Sequence, residues 1–116
     1  MIAPGGRMQL RALHEGTSSL PAVALAAPDR EGDTFAKTTP EAMLHGVYFG
    51  VRGLVRTVVE RFAARFGAYP TVIATGGDAA LFFDDDEFVE RIVPDLTLRG
   101  IALAAQAALA DAPEDA

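Results

Sequence analysis

The sequence predicts an α/β fold, helix-rich with a few short strands, on three observations. A long stretch from position 39 to 66 repeats apolar residues at helical spacing. Short apolar runs at 20–27 and 71–75 flank it, so strand, long helix and strand follow one another as in a crossover connection. A Gly-Gly pair then closes the second run and leads into another short helical stretch. A chain of 116 residues is one domain at most, and two or three short strands do not make a self-sufficient sheet.

Taken in order, residues 7–15, RMQLRALHE, set Met8, Leu10 and Leu13 among polar neighbours, with Gly16 placed to end a short helix. Pro4, Gly5 and Gly6 form the loop that feeds it. Residues 20–27, LPAVALAA, are expected to be a short strand and 28–36 a charged loop. For the long helix, Thr39 is the expected N-cap and Pro40 the first helical residue. Val47, Val51, Leu54, Val55, Val58, Phe62 and Phe66 then form one apolar stripe, opposite Arg52, Arg56, Glu60, Arg61 and Arg65. Gly67 stops this helix, and Pro70 follows.

The long helix also contains Gly46, Gly50 and Gly53, each costing up to about 1 kcal/mol relative to alanine. Close approach by a neighbouring element is the preferred explanation; a ligand or second subunit against the bare backbone is the other. Residues 71–75, TVIAT, read as a buried-type strand, and 78–83 as a short helix. A last helix is expected over about 97–110, capped by Asp95 or Thr97, with IALAAQAALA as its apolar face. The domain is expected to span 1–110, and residues 111–116 to be a disordered tail.

Composition removes several function classes. The net charge of −6 argues against sequence-independent nucleic-acid binding, which needs clustered Lys and Arg. No apolar run approaches the roughly 20 residues of a membrane span, and MIAPGGRMQL lacks the apolar region of a signal peptide. The lack of cysteine excludes disulfides and thiolate metal sites and fits a cytoplasmic protein. Asp84, Asp85 and Asp86 are read as a solvated loop ahead of a divalent-cation site, because sequence neighbours rarely converge on one ion.

No catalytic centre emerges from the residues themselves. His14 and His45 have no partner at metal-ligand spacing, so surface or packing roles are expected for both, and no metal site is assigned. Ser18 and Ser19 lack a nucleophile-elbow setting, and no P-loop is present. The remaining feature is Thr75-Gly76-Gly77, where a strand ends and a helix opens. Backbone N–H groups there favour anionic or polar ligand atoms, and glycine lets a flat base come close. By itself such a turn can equally just change direction.

Four segments, taken together, resemble the carboxy-terminal part of type III pantothenate kinases. IAPGGRMQLRALHEGTSSLP is similar to the family's I-x-P-G loop and following helix. KTTPEAMLHGVYFG resembles its [RK]-[NS]-T-x-x-A-[IM]-x-x-G, VIATGGDAALF its V-I-x-T-G-G-x-A, and VPDLTLRGI its D-P-x-L-T-L-x-G-L. Order and spacing agree over nearly all of residues 2–102. The resemblance implies a partial ribonuclease-H-like lobe of the acetate/sugar kinase–Hsp70–actin fold. It implies ATP-dependent phosphorylation of pantothenate to 4'-phosphopantothenate, the first step of coenzyme A biosynthesis. It further implies ATP with magnesium, a monovalent cation (potassium or ammonium), and a homodimer.

Carried over position by position, Thr39 matches the threonine that reaches pantothenate, and Thr75, Gly76 and Gly77 match the nucleotide-side turn. Pro4 and Gly5 match the P-G of a cleft loop, and the Gly46–Gly50–Gly53 helix matches the helix that helps build the dimer. The family's D-x-G-N-[ST] phosphate loop, its G-x-D-R segment with the general base, and its D-x-G-T-A segment have no counterpart in these residues. All three are expected upstream of Met1, so no catalytic residue is assigned here. Phosphoryl transfer needs phosphate positioning, metal and oriented nucleophile together, so the chain is expected to be inactive alone. The alternative expectation is a stand-alone, non-catalytic dimerisation or regulatory module. Marginal stability is expected in isolation, from an exposed cleft face and an orphaned sheet edge.

Overall fold

The computed structural model describes residues 1–29, 31–32 and 35–113. It is a mixed α/β arrangement, rich in helix and poor in strand. The elements run α1 (Gly6–Glu15), α2 (Thr39–Phe66), β1 (Ile73–Ala74), α3 (Ala79–Phe83), β2 (Arg91–Ile92) and α4 (Leu96–Ala110). Among the described residues, no helix is long and apolar enough to cross a membrane.

α1 forms as its apolar spacing dictates. Its first turn is tied to the feeding loop by Gln9, whose backbone N–H donates to the Gly5 carbonyl at 2.9 Å. The Gln9 side-chain amide donates to the Pro4 carbonyl at 2.8 Å. Beyond the Gly16 cap, the Thr17 hydroxyl donates to the Leu13 carbonyl at 2.6 Å, and His14 Nδ1 lies 2.7 Å from the Leu20 carbonyl oxygen. His14 thus steadies the exit of α1, a structural role of the kind expected.

α2 is capped one residue earlier than expected. Thr38 is extended (φ −122°, ψ 155°), and its hydroxyl accepts the Glu41 N–H at 3.4 Å. Thr39 is therefore the first helical residue, and Pro40 follows it inside the first turn. Thr38-x-x-Glu41 has the spacing of a capping box, the signal that distinguishes the two threonines. At the other end Gly67 adopts φ 74°, and its N–H closes on Ala63 O at 2.8 Å. That left-handed conformation is one glycine adopts without a steric penalty.

The strands depart most from expectation. Residues 20–27 form no strand: they run irregularly, with Leu20, Val23 and Leu25 packed against the core and Ala22, Ala24 and Ala26 exposed. The period-two pattern is present, but the segment has no ladder partner among the described residues. The parallel pair is instead β1 with β2, in the register Ile73↔Arg91 and Ala74↔Ile92, crossing over through α3 rather than α2. β1 is not of buried type either, since Ile73 is 46% exposed.

The core is a cluster of Leu10, Met43, Val47, Tyr48 and Phe82, joining α1, the first half of α2, and α3. The Phe82 ring stacks on Tyr48 with centroids 6.0 Å apart. Among the described residues the close approach expected at Gly46, Gly50 and Gly53 is absent: a Cβ on any of them would meet nothing within 4 Å. It occurs at Gly6, where a Cβ would stand 2.7 Å from Phe82 Cζ. Helical spacing could not reveal this, because the neighbour lies far along the chain.

The acidic run is not simply solvated. Arg52 donates through Nη1 to the Tyr48 hydroxyl at 2.7 Å and to Asp85 at 2.9 Å, and its Nη2 lies 3.2 Å from Asp86. The Asp86 side chain is only 9% exposed, and its other oxygen accepts the Phe88 N–H at 2.8 Å. Burial works against the Arg52 charge, but the hydrogen bonds to Asp85 and Tyr48 outweigh it and hold the guanidinium above its ordinary pKa. The loop is pinned to α2 by Arg52, a cation expected on the wet side of the helix.

The apolar stripe of α2 is buried only in part. Val47 is 2% exposed, whereas Leu54, Val58, Phe62 and Phe66 are 39%, 37%, 42% and 61% exposed. α4 is more open still, with no buried residue, and it begins at Leu96 behind Asp95 rather than at 97. Asp95 makes no side-chain cap and instead accepts Arg99 Nε at 3.0 Å. That hydrogen bond comes first in lowering the Asp95 pKa. Residues 114–116 of the expected tail lie outside the described residues.

Candidate functional site

Two of the loops singled out in the sequence are brought side by side. Pro4 and Gly5 precede α1, with Gly5 as its N-cap, and both are exposed. Thr75, Gly76 and Gly77 follow β1, also exposed. The Arg7 guanidinium on α1 reaches Asp78, directly after the glycines, at 2.9 Å. The Gly6–Phe82 approach lies beneath that ion pair. One contact is charged and solvent-facing, the other apolar and buried, and both hold the P-G loop beside the T-G-G turn.

The turn itself needs glycine at one position. Gly76 has φ 108°, a region L side chains rarely adopt. A Cβ on Gly76 or Gly77 would meet nothing within 4 Å, so the space before the turn is open. Glycine there puts no side chain between the backbone and whatever approaches it. The helix behind it contributes less than expected: α3 has only five residues, and Asp78 makes no side-chain cap. The Ala79 N–H already lies 3.3 Å from the Gly76 carbonyl oxygen, so a ligand would meet open backbone rather than a strong helix terminus.

Thr39 stands exposed in the first turn of α2. With Thr38 serving as the cap, its hydroxyl is not needed to start the helix. One turn further on, Ala42, Met43 and Gly46 face Pro4 and Met8 across a hollow of about 520 Å³. The P-G loop therefore adjoins α2 on one side and the T-G-G turn on the other, although Thr39 does not line this hollow. A second hollow at the start of α2, also about 520 Å³, is lined by Lys37, Thr38, Glu41 and His45. His45 stands edge-on to Phe49 at 5.7 Å, which fits the packing role expected of it.

Lys37 and Glu41, not expected as site residues, put opposite charges in the lining of that hollow. Among the described residues no group of three or more His, Asp or Glu could hold a metal ion. A hollow of about 380 Å³ beside Arg52, Arg56, Asp85 and Asp86 is charged, but its cations are engaged by neighbouring carboxylates. It reads as a structural clasp between α2 and the acidic loop.

Comparison with known proteins gives this geometry its setting. The family model for type III pantothenate kinase matches residues 1–61, more than half of the chain. A type III pantothenate kinase of Rhodospirillum rubrum is 42% identical over 102 residues, covering 88% of this chain and 38% of that protein. Those of Rhizorhabdus wittichii and Akkermansia muciniphila are each 39% identical, covering 89% and 90% of this chain and 39% and 42% of the relatives. The chain belongs to the type III pantothenate kinase family. The match is to a carboxy-terminal portion of that kinase, and the chain spans about two-fifths the length of the curated relatives it matches.

Proposed function

We propose that this chain supplies the adenosine-side turn and part of the acceptor pocket of a type III pantothenate kinase. That enzyme would phosphorylate pantothenate to 4'-phosphopantothenate with ATP in the first step of coenzyme A biosynthesis, in the cytoplasm. Residues 1–110 would then be part of a ribonuclease-H-like lobe of the acetate/sugar kinase–Hsp70–actin fold. Thr75, Gly76 and Gly77 lie against the nucleotide, Thr39 reaches pantothenate, and Pro4 and Gly5 line the cleft between them. The observation that carries this reading is the clamp of Arg7 on Asp78, which sets the P-G loop against an open T-G-G turn.

ATP supplies the phosphoryl group, with magnesium and a monovalent cation (potassium or ammonium) balancing phosphate charge; no residue described here is assigned to either ion. The residues of this chain position the two substrates, while the phosphate loop and the general base are not among them. A polypeptide of these 116 residues is therefore expected to show no ADP release with pantothenate and ATP.

A second reading, a non-catalytic dimerisation or regulatory module, is favoured by the open face over Gly46, Gly50 and Gly53. In the full kinase the same face would serve a homodimer. Amide NMR separates substrate binding from a purely scaffolding role. ATP is expected to shift the Gly76 and Gly77 signals and pantothenate those around Thr39. Silence at all three positions with both ligands at millimolar concentration would refute the site assignment.

A further inference from the structure

The crossover from β1 to β2 carries the T-G-G turn and is tied down at two ends. At its base the strands hold it: the Glu90 N–H donates to the Val72 carbonyl at 3.0 Å and the Val93 N–H to the Ala74 carbonyl at 2.9 Å. At its far corner, where α3 gives way to the acidic loop, Arg52 of α2 fastens it. Arg52 Nη1 lies 2.9 Å from Asp85 and 3.4 Å from the Phe82 carbonyl oxygen, and Nη2 lies 3.2 Å from Asp86. The guanidinium is itself steadied from behind by the hydroxyl of buried Tyr48 at 2.7 Å.

This fastening differs in kind from the Arg7–Asp78 pair. The Arg52 side chain is 24% exposed, against 69% for Arg7. A half-sheltered guanidinium with several acceptors fixes direction as well as distance, which the point charge of a lysine does not. Direction matters here because α3 has five residues and spans only about 7–8 Å. A tilt at its Phe83 end therefore carries through to Asp78 and the glycines before it. The apolar packing of Leu10, Met43, Val47 and Phe82 does not run through Arg52, so loss of the guanidinium frees the crossover before it opens the core.

We propose that Arg52 is a positioning residue for the T-G-G turn. Acting through Phe82, Asp85 and Asp86, it sets the place of that turn against α2, and with it the affinity of the turn for a nucleotide, without touching the ligand. α2 also carries Thr39 in its first turn, so the same side chain fixes the nucleotide-side unit to the helix of the acceptor side. The nucleotide part of this inference rests on the kinase reading; the setting of the turn is observable with no ligand present.

The test compares the 116-residue chain with Arg52→Gln, Arg52→Lys and Asp85→Asn by amide NMR, hydrogen exchange and titration with ATP and with pantothenate. Without ligand, Arg52→Gln should move the Gly76 and Gly77 signals. It should also speed exchange at the hydrogen-bonded amides of Ala79 and Phe82 by about fivefold more than at Val47 and Tyr48. ATP affinity should fall about threefold or more, while pantothenate affinity stays within a factor of about two. Arg52→Lys should not restore the parent, and Asp85→Asn should give a smaller change in the same direction. Overturning results are Gly76 and Gly77 signals that stay in place, exchange that rises equally in core and crossover, equal losses of ATP and pantothenate affinity, or full rescue by lysine. Should Arg52→Gln fail to fold, Asp85→Asn carries the same readouts, because its side chain is 47% exposed. A parent chain whose Gly76 and Gly77 signals ignore ATP refutes the kinase reading, and the ligand-free shifts still decide the positioning.

Discussion

The two halves of α2 carry the same repeat and have opposite fates. In the first, Met43, Val47 and Tyr48 are closed over by α1, by the extended run through Val23 and Leu25, and by Phe82. In the second, Leu54, Val58, Phe62 and Phe66 continue the pattern into solvent, and only Val59 is buried. Periodicity determines that a helix forms and which way its apolar side faces. Whether that side is dry depends on what else is there to meet it.

The sharpest way to break this comparison is to truncate one side chain from each half's surroundings. Leu10→Ala, which opens the closed core, is expected to lower unfolding free energy by about 2–5 kcal/mol. Phe62→Ala, on the open half and 42% exposed, should cost less, about 1 kcal/mol. Urea denaturation followed at 222 nm reads both, and equal losses would mean that the open half is buried in solution.

The glycines give a second contrast, of opposite sign. Gly6→Ala drives a methyl toward Phe82 and should cost about 1–3 kcal/mol. Gly53→Ala fills empty space on a helix and should stabilise by about 0.5–1 kcal/mol. Thermal melts of the two variants should fall on either side of the parent. A Gly53→Ala variant that destabilised would reveal a neighbour against that face.

The smallest effects separate the adjacent threonines. Thr38→Ala removes the cap and should cost about 1 kcal/mol, whereas Thr39→Ala should leave stability within about 0.5 kcal/mol. The same melts check both. A large loss at Thr39 would place the cap there and weaken its assignment to pantothenate.

Local features were legible in the sequence and long-range partnerships were not. α1, the span of α2 and its glycine stop followed from spacing and end signals close by in the chain. The Thr38 cap was available from Thr38-x-x-Glu41 but yielded to the more familiar Thr-Pro order. Residues 20–27 have a strand's alternation, yet strand formation requires a hydrogen-bonded neighbour that no local pattern announces. Arg52 looked like a solvent-facing cation because its partners, Asp85 and Asp86, lie some thirty residues on. Of the candidate site, the T-G-G turn and the P-G loop could each be found by residue type. Their meeting through Arg7 and Asp78 required the fold.

That meeting joins two fasteners of different physical kinds. The Arg7–Asp78 pair has side chains 69% and 36% exposed, so dissolved ions weaken it, as they do any solvent-facing charge pair. The Gly6–Phe82 contact carries no charge, so salt does not screen it. As ionic strength rises, the outer fastener slackens while the inner one holds. The T-G-G turn then keeps its strand-side hydrogen bonds, such as Val93 N–H to the Ala74 carbonyl at 2.9 Å, and loses only its charged tie.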